Sequence, residues 1–519
     1  MAIPTITAAT LHGWIGDGGE LAILDAREEG EFGASHLFWA VPCPLSKMEA
    51  RAHVLLPCLA ARVVCVDDGR GLAERLAAYL AGLGARNVHV LAGGTPAWEA
   101  AGHVLFSGVN VPSKAFGEWI EHHYGTESVD APELKAWIDA GRNMVVLDSR
   151  TLEEYQRMSI PTGTSVPGGE LAYRIGDLVP DPETLVVVNC AGRTRSILGA
   201  ESLRQAGIPN KVVALRNGTM GWELAGLTCD RGRSARFAPG RPATAQVALA
   251  RAAAFAERSG VQVTDAAGLA RLAADDARTL YVLDVRDPAE FAAGHLAGSV
   301  SAPGGQLVQA TDTWIGVRGA RIALIDDDGV RARMSAAWLR QMGHREVYVV
   351  DGGLDAAPVP RVPTPVVTDF APITVEEVAA GPALVIDLAR SIDFREGHIS
   401  GAQWGIRTRL AALKGQIAEA PLVVLTSPDG AQARWAWAEV QALTQGRVAV
   451  LQGGTKAWEA AGHPLQRDRA NPPDAACVDF YLRPYDRNSG IEEAMMAYLS
   501  WEIDLVHEIE RDGTVQFGV

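Results

Sequence analysis

The chain lacks the features that mark several protein classes. No apolar stretch reaches the about 18 residues that a membrane-crossing helix needs. The opening residues, MAIPTITAATLHGW, hold neither a basic segment followed by an apolar run nor a twin-arginine pair. A soluble, cytoplasmic protein is therefore expected. Lysine- and arginine-rich blocks are also missing and the formal net charge is -15, which argues against nucleic acid or an anionic membrane surface as the main partner. Cysteine is scarce. Cys43, Cys58, Cys65, Cys190, Cys229 and Cys477 are scattered without a CxxC pair or any other metal-ligand spacing, so a disulfide framework is not expected and most of the thiols read as small buried side chains.

What is present is repetition. The phrase LAGGTPAWEAAGH (91–103) returns as LQGGTKAWEAAGH (451–463), more loosely as LRNGTMGWELAGL (215–227), and in decayed form as VDGGLDAAP (350–358). Upstream of each copy a short apolar run ends in Asp: LAILDAR (21–27), MVVLDSR (144–150), YVLDVR (281–286) and LVIDLAR (384–390). Two copies then read GHLAGS (294–299) and GHISGA (397–402), followed by a further apolar strand, a short loop and an Ala/Leu-rich helix. At 519 residues the chain is too long for one core. Continuous apolar strands alternating with amphipathic helices imply α/β units, each a parallel sheet covered by helices on both faces. Ligands of such sheets bind outside the carboxyl ends of the strands. The loop after the strand VVVN lies there.

With its D-x-R strand end, G-H-I/L segment, cysteine-bearing strand-to-helix loop and closing G-G-x-x-x-W, the chain resembles the rhodanese (sulfurtransferase) homology family. Four tandem rhodanese-like domains are expected at 1–108, 109–232, 233–362 and 363–468, with a helical extension at 469–519. The Pro-rich stretches RSARFAPGRPATAQ and PVPRVPTPVV separate the second, third and fourth copies. In the extension, Ile491, Met495, Tyr498, Leu499, Ile503 and Val506 recur at a helical period and predict a helix docked on the body. His122 and His123, in KAFGEWIEHHYG, are adjacent and do not share a helix face, so they read as surface or packing residues rather than ligands.

One loop in four is equipped for chemistry. Where the second copy has Cys190, the first has Asp67, the third Asp326 and the fourth Ser427, none of which can carry a persulfide unaided. Cys65 falls two residues earlier, in a strand, and reads as core. Cys190, Ala191, Gly192, Arg193, Thr194, Arg195 and Ser196 match the family pattern C-x-G-x-x-R-[ST]. A strand curling into a helix start turns backbone N–H groups and the helix dipole toward the sulfur, which favours a thiolate. Gly192 permits the curl, Arg193 and Arg195 add positive charge for the thiolate and an incoming anion, and Thr194 and Ser196 offer hydrogen bonds or a cap.

The resemblance implies that Cys190 is the nucleophile, taking sulfane sulfur from thiosulfate or a persulfide donor and passing it to a thiol or cyanide, without metal or organic cofactor. Asp148 and Arg150 are expected as an ion pair bracing the loop, and Trp222 as core support. Ser159, in MSIPTG, stands where other copies have histidine. Glu170 and Arg174, in SVPGGELAYRIGD, are candidate pocket residues, with helix-surface roles as the alternative. Cys229 is either a resolving thiol or inert. Related phosphatases place arginine six positions after the cysteine; here Arg195 stands at five, the shorter, sulfur-sized loop, which leaves phosphatase as a minor reading. A persulfide carrier or redox-sensing adaptor, with the silent copies as docking surfaces, is the main alternative. A protein acceptor and a homo-oligomeric state stay open.

Overall fold

The computed structural model describes residues 3–362 and 367–518. The Pro-rich stretch expected as a linker at 358–367 falls partly outside them. The second copy shows why the apolar runs become strands. Every residue of Leu185–Asn189 is buried, because Val186 and Val188 meet Leu171, Ala200 and Leu203 on one face while Val187 meets Leu134 and Trp222 on the other. Alternation disappears from the sequence when both faces are covered. Each buried valine contributes roughly 1.5–3 kcal/mol.

The sheet of this copy runs Ser128–Val129, Val212–Leu215, Leu185–Asn189, Met144–Asp148, Thr164–Ser165, with all neighbours parallel. The third copy repeats that order with Gln262–Asp265, Glu346–Asp351, Arg321–Ile325, Leu280–Asp284 and Val300–Ser301. The first and fourth sheets keep the same core. The fold is thus α/β, a series of parallel sheets flanked by helices.

The copies are not independent beads. Val317–Arg318 leaves the third copy and lies antiparallel on Leu21–Asp25 of the first, giving that sheet a strand from elsewhere in the chain. Between the second and third copies the two Pro-Gly-Gly turns meet backbone to backbone. A β-carbon on Gly169 would stand 2.9 Å from Gly305 N, and one on Gly305 2.6 Å from Gly169 N. Trp338 Nε1 donates to Ser202 Oγ across the same seam at 2.8 Å. The first and fourth copies are joined by the buried pair Arg407–Glu49 at 2.8 Å.

The elements around the cysteine loop are helix α1 (Val111–Tyr124), strand β1 (Met144–Asp148), helix α2 (Leu152–Arg157), strand β2 (Leu185–Asn189), helix α3 (Thr194–Gln205) and helix α4 (Ile491–Asp512). Helix α4 is the one foreseen in the extension, but it is rolled differently about its axis. Its buried residues are Met495, Leu499, Glu502, Leu505 and Ile509, whereas Ile491 and Ile503 are exposed. A charged residue, Glu502, sits in the buried stripe because it meets Lys114 at 3.1 Å and the Thr194 hydroxyl. Among the described residues no helix is long and apolar enough to cross a membrane.

Candidate active site

Cys190 is the first residue beyond β2, and α3 begins at Thr194. Asp67, Asp326 and Ser427 occupy the same place after Arg62–Val66, Arg321–Ile325 and Leu422–Thr426. The loop is held from behind by the turn of NGTMGW: Thr219 N donates to Cys190 O at 2.9 Å and Met220 N to Ala191 O at 3.0 Å. Gly218 has φ +54° and packs its α-carbon against the Cys190 carbonyl, leaving no room for a side chain. Gly218 fills the second glycine of the closing G-G-x-x-x-W signature, in which the tryptophan alone carries an expected role. Trp222 is fully buried and donates to Thr228 O at 3.1 Å.

The silent loops show what this geometry holds. The Asp67 carboxylate accepts from Gly69 N, Leu72 N and Ala73 N at 2.8, 2.7 and 3.2 Å. Asp326 accepts from Gly329 N and Ala332 N at 2.7 and 3.0 Å. A negative group at this position is therefore gathered by backbone N–H donors at a helix start. In the second copy the N–H groups of Gly192, Arg193 and Arg195 have no protein acceptor among the described residues. The Cys190 thiol lies 3.5 Å from Ser196 Oγ, whose own hydroxyl donates to Arg193 O at 2.8 Å.

Both loop arginines are already paired with carboxylates, which changes the part expected of them. Arg195 makes a bidentate pair with Glu154 at 2.7 and 2.8 Å. Burial would raise the Glu154 carboxyl, but Arg195, with Arg150 behind it, holds it well below the usual range. Glu154 also closes the capping box that starts α2 at Thr151. Arg193 turns away to α1, where it pairs with Glu118 at 2.8 and 2.9 Å and with Glu121. Thr194 donates to Glu502 Oε1 at 3.0 Å, and Arg193, not Thr194, stands at the helix cap. Positive potential at the sulfur thus comes chiefly from the backbone and from Arg195.

Asp148 and Arg150 form a buried bidentate pair at 2.7 and 2.9 Å. Arg150 continues to Met158 O at 2.6 Å, and Asp148 accepts from Asn189 Nδ2, the residue before Cys190, at 2.9 Å. The pair recurs as Asp25–Arg27 and Asp284–Arg286. In the fourth copy Ala389 replaces the arginine, and burial raises Asp387 to about 6. Glu170 and Arg174 lie elsewhere. They pair with each other at 2.8 Å, and Glu170 also accepts from Arg331 at 2.8 Å, which puts them in a buried ion cluster joining the second and third copies rather than at a pocket of the Cys190 loop or on a helix surface. Arg331 stands five residues after Asp326, as Arg195 does after Cys190.

The histidine absent at Ser159 is structural in the other copies. His36, His295 and His398 each stack on a phenylalanine one turn earlier with ring centroids 3.8 Å apart, and bond its carbonyl. Tyr155 replaces that stack here and donates to Gly163 O at 2.6 Å. Cys229 packs in the apolar layer beneath Trp222, and burial pushes its thiol up to about 12. Cys65 is core, its thiol raised further by burial. His122 and His123 are exposed, with His123 stacked on Trp119.

Helix α4 roofs the loop. A β-carbon on Gly192 would stand 2.9 Å from Glu502 Oε2 and 3.3 Å from Tyr498 Cε1. Met220, Met495 and Leu499 close over Ala191 with Tyr485 and Tyr498. Cys190 is left 2% exposed.

Fold, repeat and loop define a class: the chain belongs to the family of rhodanese-like domains, whose model matches residues 7–101, 130–225 and 265–357. Over its whole length it is similar to the crystal structure of thiosulfate sulfurtransferase from Pseudomonas aeruginosa, with 45% identity, a TM-score of 0.93 and 100% of each chain covered. It is 32% identical over 107 residues, 20% of this chain, to an HTH-type transcriptional regulator of Mycobacterium tuberculosis. It is 26% identical over 122 residues, 21% of this chain, to a putative sulfur carrier protein of Bacillus subtilis. These two matches span 46% and 64% of the relatives' own lengths.

Proposed function

We propose that this chain, a sulfurtransferase by family and by its full-length likeness, carries sulfur as a persulfide on Cys190. The Cys190 thiolate attacks the outer sulfur of thiosulfate or of a persulfide, the donor's sulfur–sulfur bond breaks, and sulfite or a thiolate leaves with the bonding electrons. An acceptor thiolate or cyanide then attacks the outer sulfur of the Cys190 persulfide and releases the thiolate again. The observation that carries this reading is the loop itself: the N–H groups of Gly192, Arg193 and Arg195 have no protein acceptor among the described residues, while their counterparts at Gly69, Gly329 and Leu72 are spent on Asp67 or Asp326 in two silent copies. Charge placed there is stabilised without rearrangement. Asp148, Arg150 and Glu154 act as positioning residues, through Asn189 and Arg195. The six free cysteines fit a reducing compartment, the cytoplasm. Arg195 at the fifth position favours sulfur over phosphate. Thiosulfate with an acceptor should release sulfite, and intact mass should rise by about 32 Da, one sulfur atom, on Cys190. Sulfite release that persists in Cys190→Ala refutes the assignment.

A second reading, sulfur carriage to a partner protein, is favoured by the burial of Cys190 under α4 and by the likeness to a putative sulfur carrier protein. It predicts a persulfide that forms on Cys190 but turns over slowly with small thiols.

A further inference from the structure

The charges around the cysteine loop do not balance. On one side they match, Arg150 with Asp148 and Arg195 with Glu154. On the other, Arg193 and Lys114 face three carboxylates, Glu118, Glu121 and Glu502. These ion pairs leave one negative charge in excess, beside a loop whose open N–H groups attract an anion. Arg483, which also acts on Glu154, is exposed, and solvent screens it.

The excess comes from outside the repeated unit. Glu118 and Glu121 stand on α1, which precedes the first strand of the second sheet, and Glu502 stands on α4. Glu118 is buried and accepts from Arg193 Nη2 and Nε at 2.8 and 2.9 Å. Glu121, partly exposed, accepts from Nη2 as well, and Asn217 Oδ1 from Nη1 at 3.3 Å. Every nitrogen of the guanidinium is thus held by a side chain other than a donor's. Burial raises the Glu118 carboxyl to about 7 against the pull of Arg193, and Glu502 and Glu121 add to the rise. Carboxylates crowd this one cation.

A sulfur donor brings its own charge into these surroundings. Thiosulfate carries two negative charges, whereas an organic persulfide or thiosulfonate carries one at the reacting group. The loop N–H groups attract either, but the second charge of thiosulfate meets the excess with no cation left to offset it.

We propose that Glu118 and Glu121 are specificity-determining residues: by occupying Arg193 they turn the Cys190 site toward singly charged sulfane-sulfur donors, organic persulfides and thiosulfonates, and away from thiosulfate. The assignment rests on the persulfide reading above and names its donor. With a thiosulfonate, the Cys190 thiolate attacks the outer sulfur, the sulfur–sulfur bond breaks, and a sulfinate leaves with the bonding electrons.

Methanethiosulfonate and thiosulfate differ by one charge, a methyl group replacing an oxygen, and provide the test. The rate at which each loads Cys190 is read by intact mass on the full-length protein at pH 8, above the Glu118 value of about 7. Methanethiosulfonate is expected to load the unaltered protein faster. The ratio of the thiosulfate rate to the methanethiosulfonate rate is expected to rise about five-fold in Glu121→Gln and in Glu118→Gln. Glu121→Asp, which keeps the charge, is expected to keep the ratio. A loosened roof would speed both donors together, and alkylation by neutral iodoacetamide with them, so it does not move the ratio. A ratio unchanged in both Gln variants, or thiosulfate loading the unaltered protein faster, overturns the proposal while Cys190 still gains sulfur. No sulfur on Cys190 from either donor defeats the persulfide reading, and the donor preference with it.

Discussion

At the scale of single residues the loop is a place for one negative charge, and Asp326 is the accessible measure of what that charge costs when buried. Burial raises its carboxyl from 3.8 to about 6, against the pull of Ala332 N, Arg331 and Gly329 N. Between those values the folded chain holds a proton that the unfolded chain has lost, so the group's contribution falls as pH rises and is gone above about 6. Asp326→Asn is expected to raise the melting temperature at pH 8, by the equivalent of about 1–3 kcal/mol, and to leave it nearly unchanged at pH 4. An equal shift at both pH values contradicts the account. What was legible here was contiguous: Cys190 through Ser196 can be read as one phrase. Their partners could not, since Glu154, Glu118 and Glu502 lie 41, 75 and 308 residues away in the chain. Only Glu154 left a trace, as the last residue of the capping box T-x-x-E.

At the scale of elements, α4 is the piece that decides access. Leu499 packs with Met220 and Met495 above a cysteine that is 2% exposed. Leu499→Ala is expected to speed alkylation of Cys190 by iodoacetamide about ten-fold, while costing about 2–5 kcal/mol as a buried leucine. An unchanged rate in the folded protein, read by mass spectrometry on the Cys190 peptide, shows that the helix is not the barrier. The helix itself was plain from its apolar period, but its rotation was not. An apolar stripe through Ile491 and Ile503 is as regular as one through Leu499 and Leu505, and the choice between them was made by Glu502 finding Lys114 on a helix that follows the first copy.

Over the whole molecule the repeat was the strongest signal in the sequence, and the arrangement of the repeats left none. Nothing local marks Val317–Arg318 as an edge strand for the first sheet, or Gly169 and Gly305 as neighbours. The structure depends on both. Gly169→Ala would force a β-carbon to 2.9 Å from Gly305 N and is expected to destabilise the protein by about 1–3 kcal/mol in urea melts. Loss limited to a few tenths would mean that the two turns part without consequence. The seated carboxylates of Asp67 and Asp326 bear on the molecule in another way. Each is a tethered competitor for its own loop, present at a local concentration no free anion matches. Sulfite accumulating as product should therefore find neither of those two loops open, and should inhibit at the Cys190 loop along a single-site isotherm with a Hill coefficient of about one.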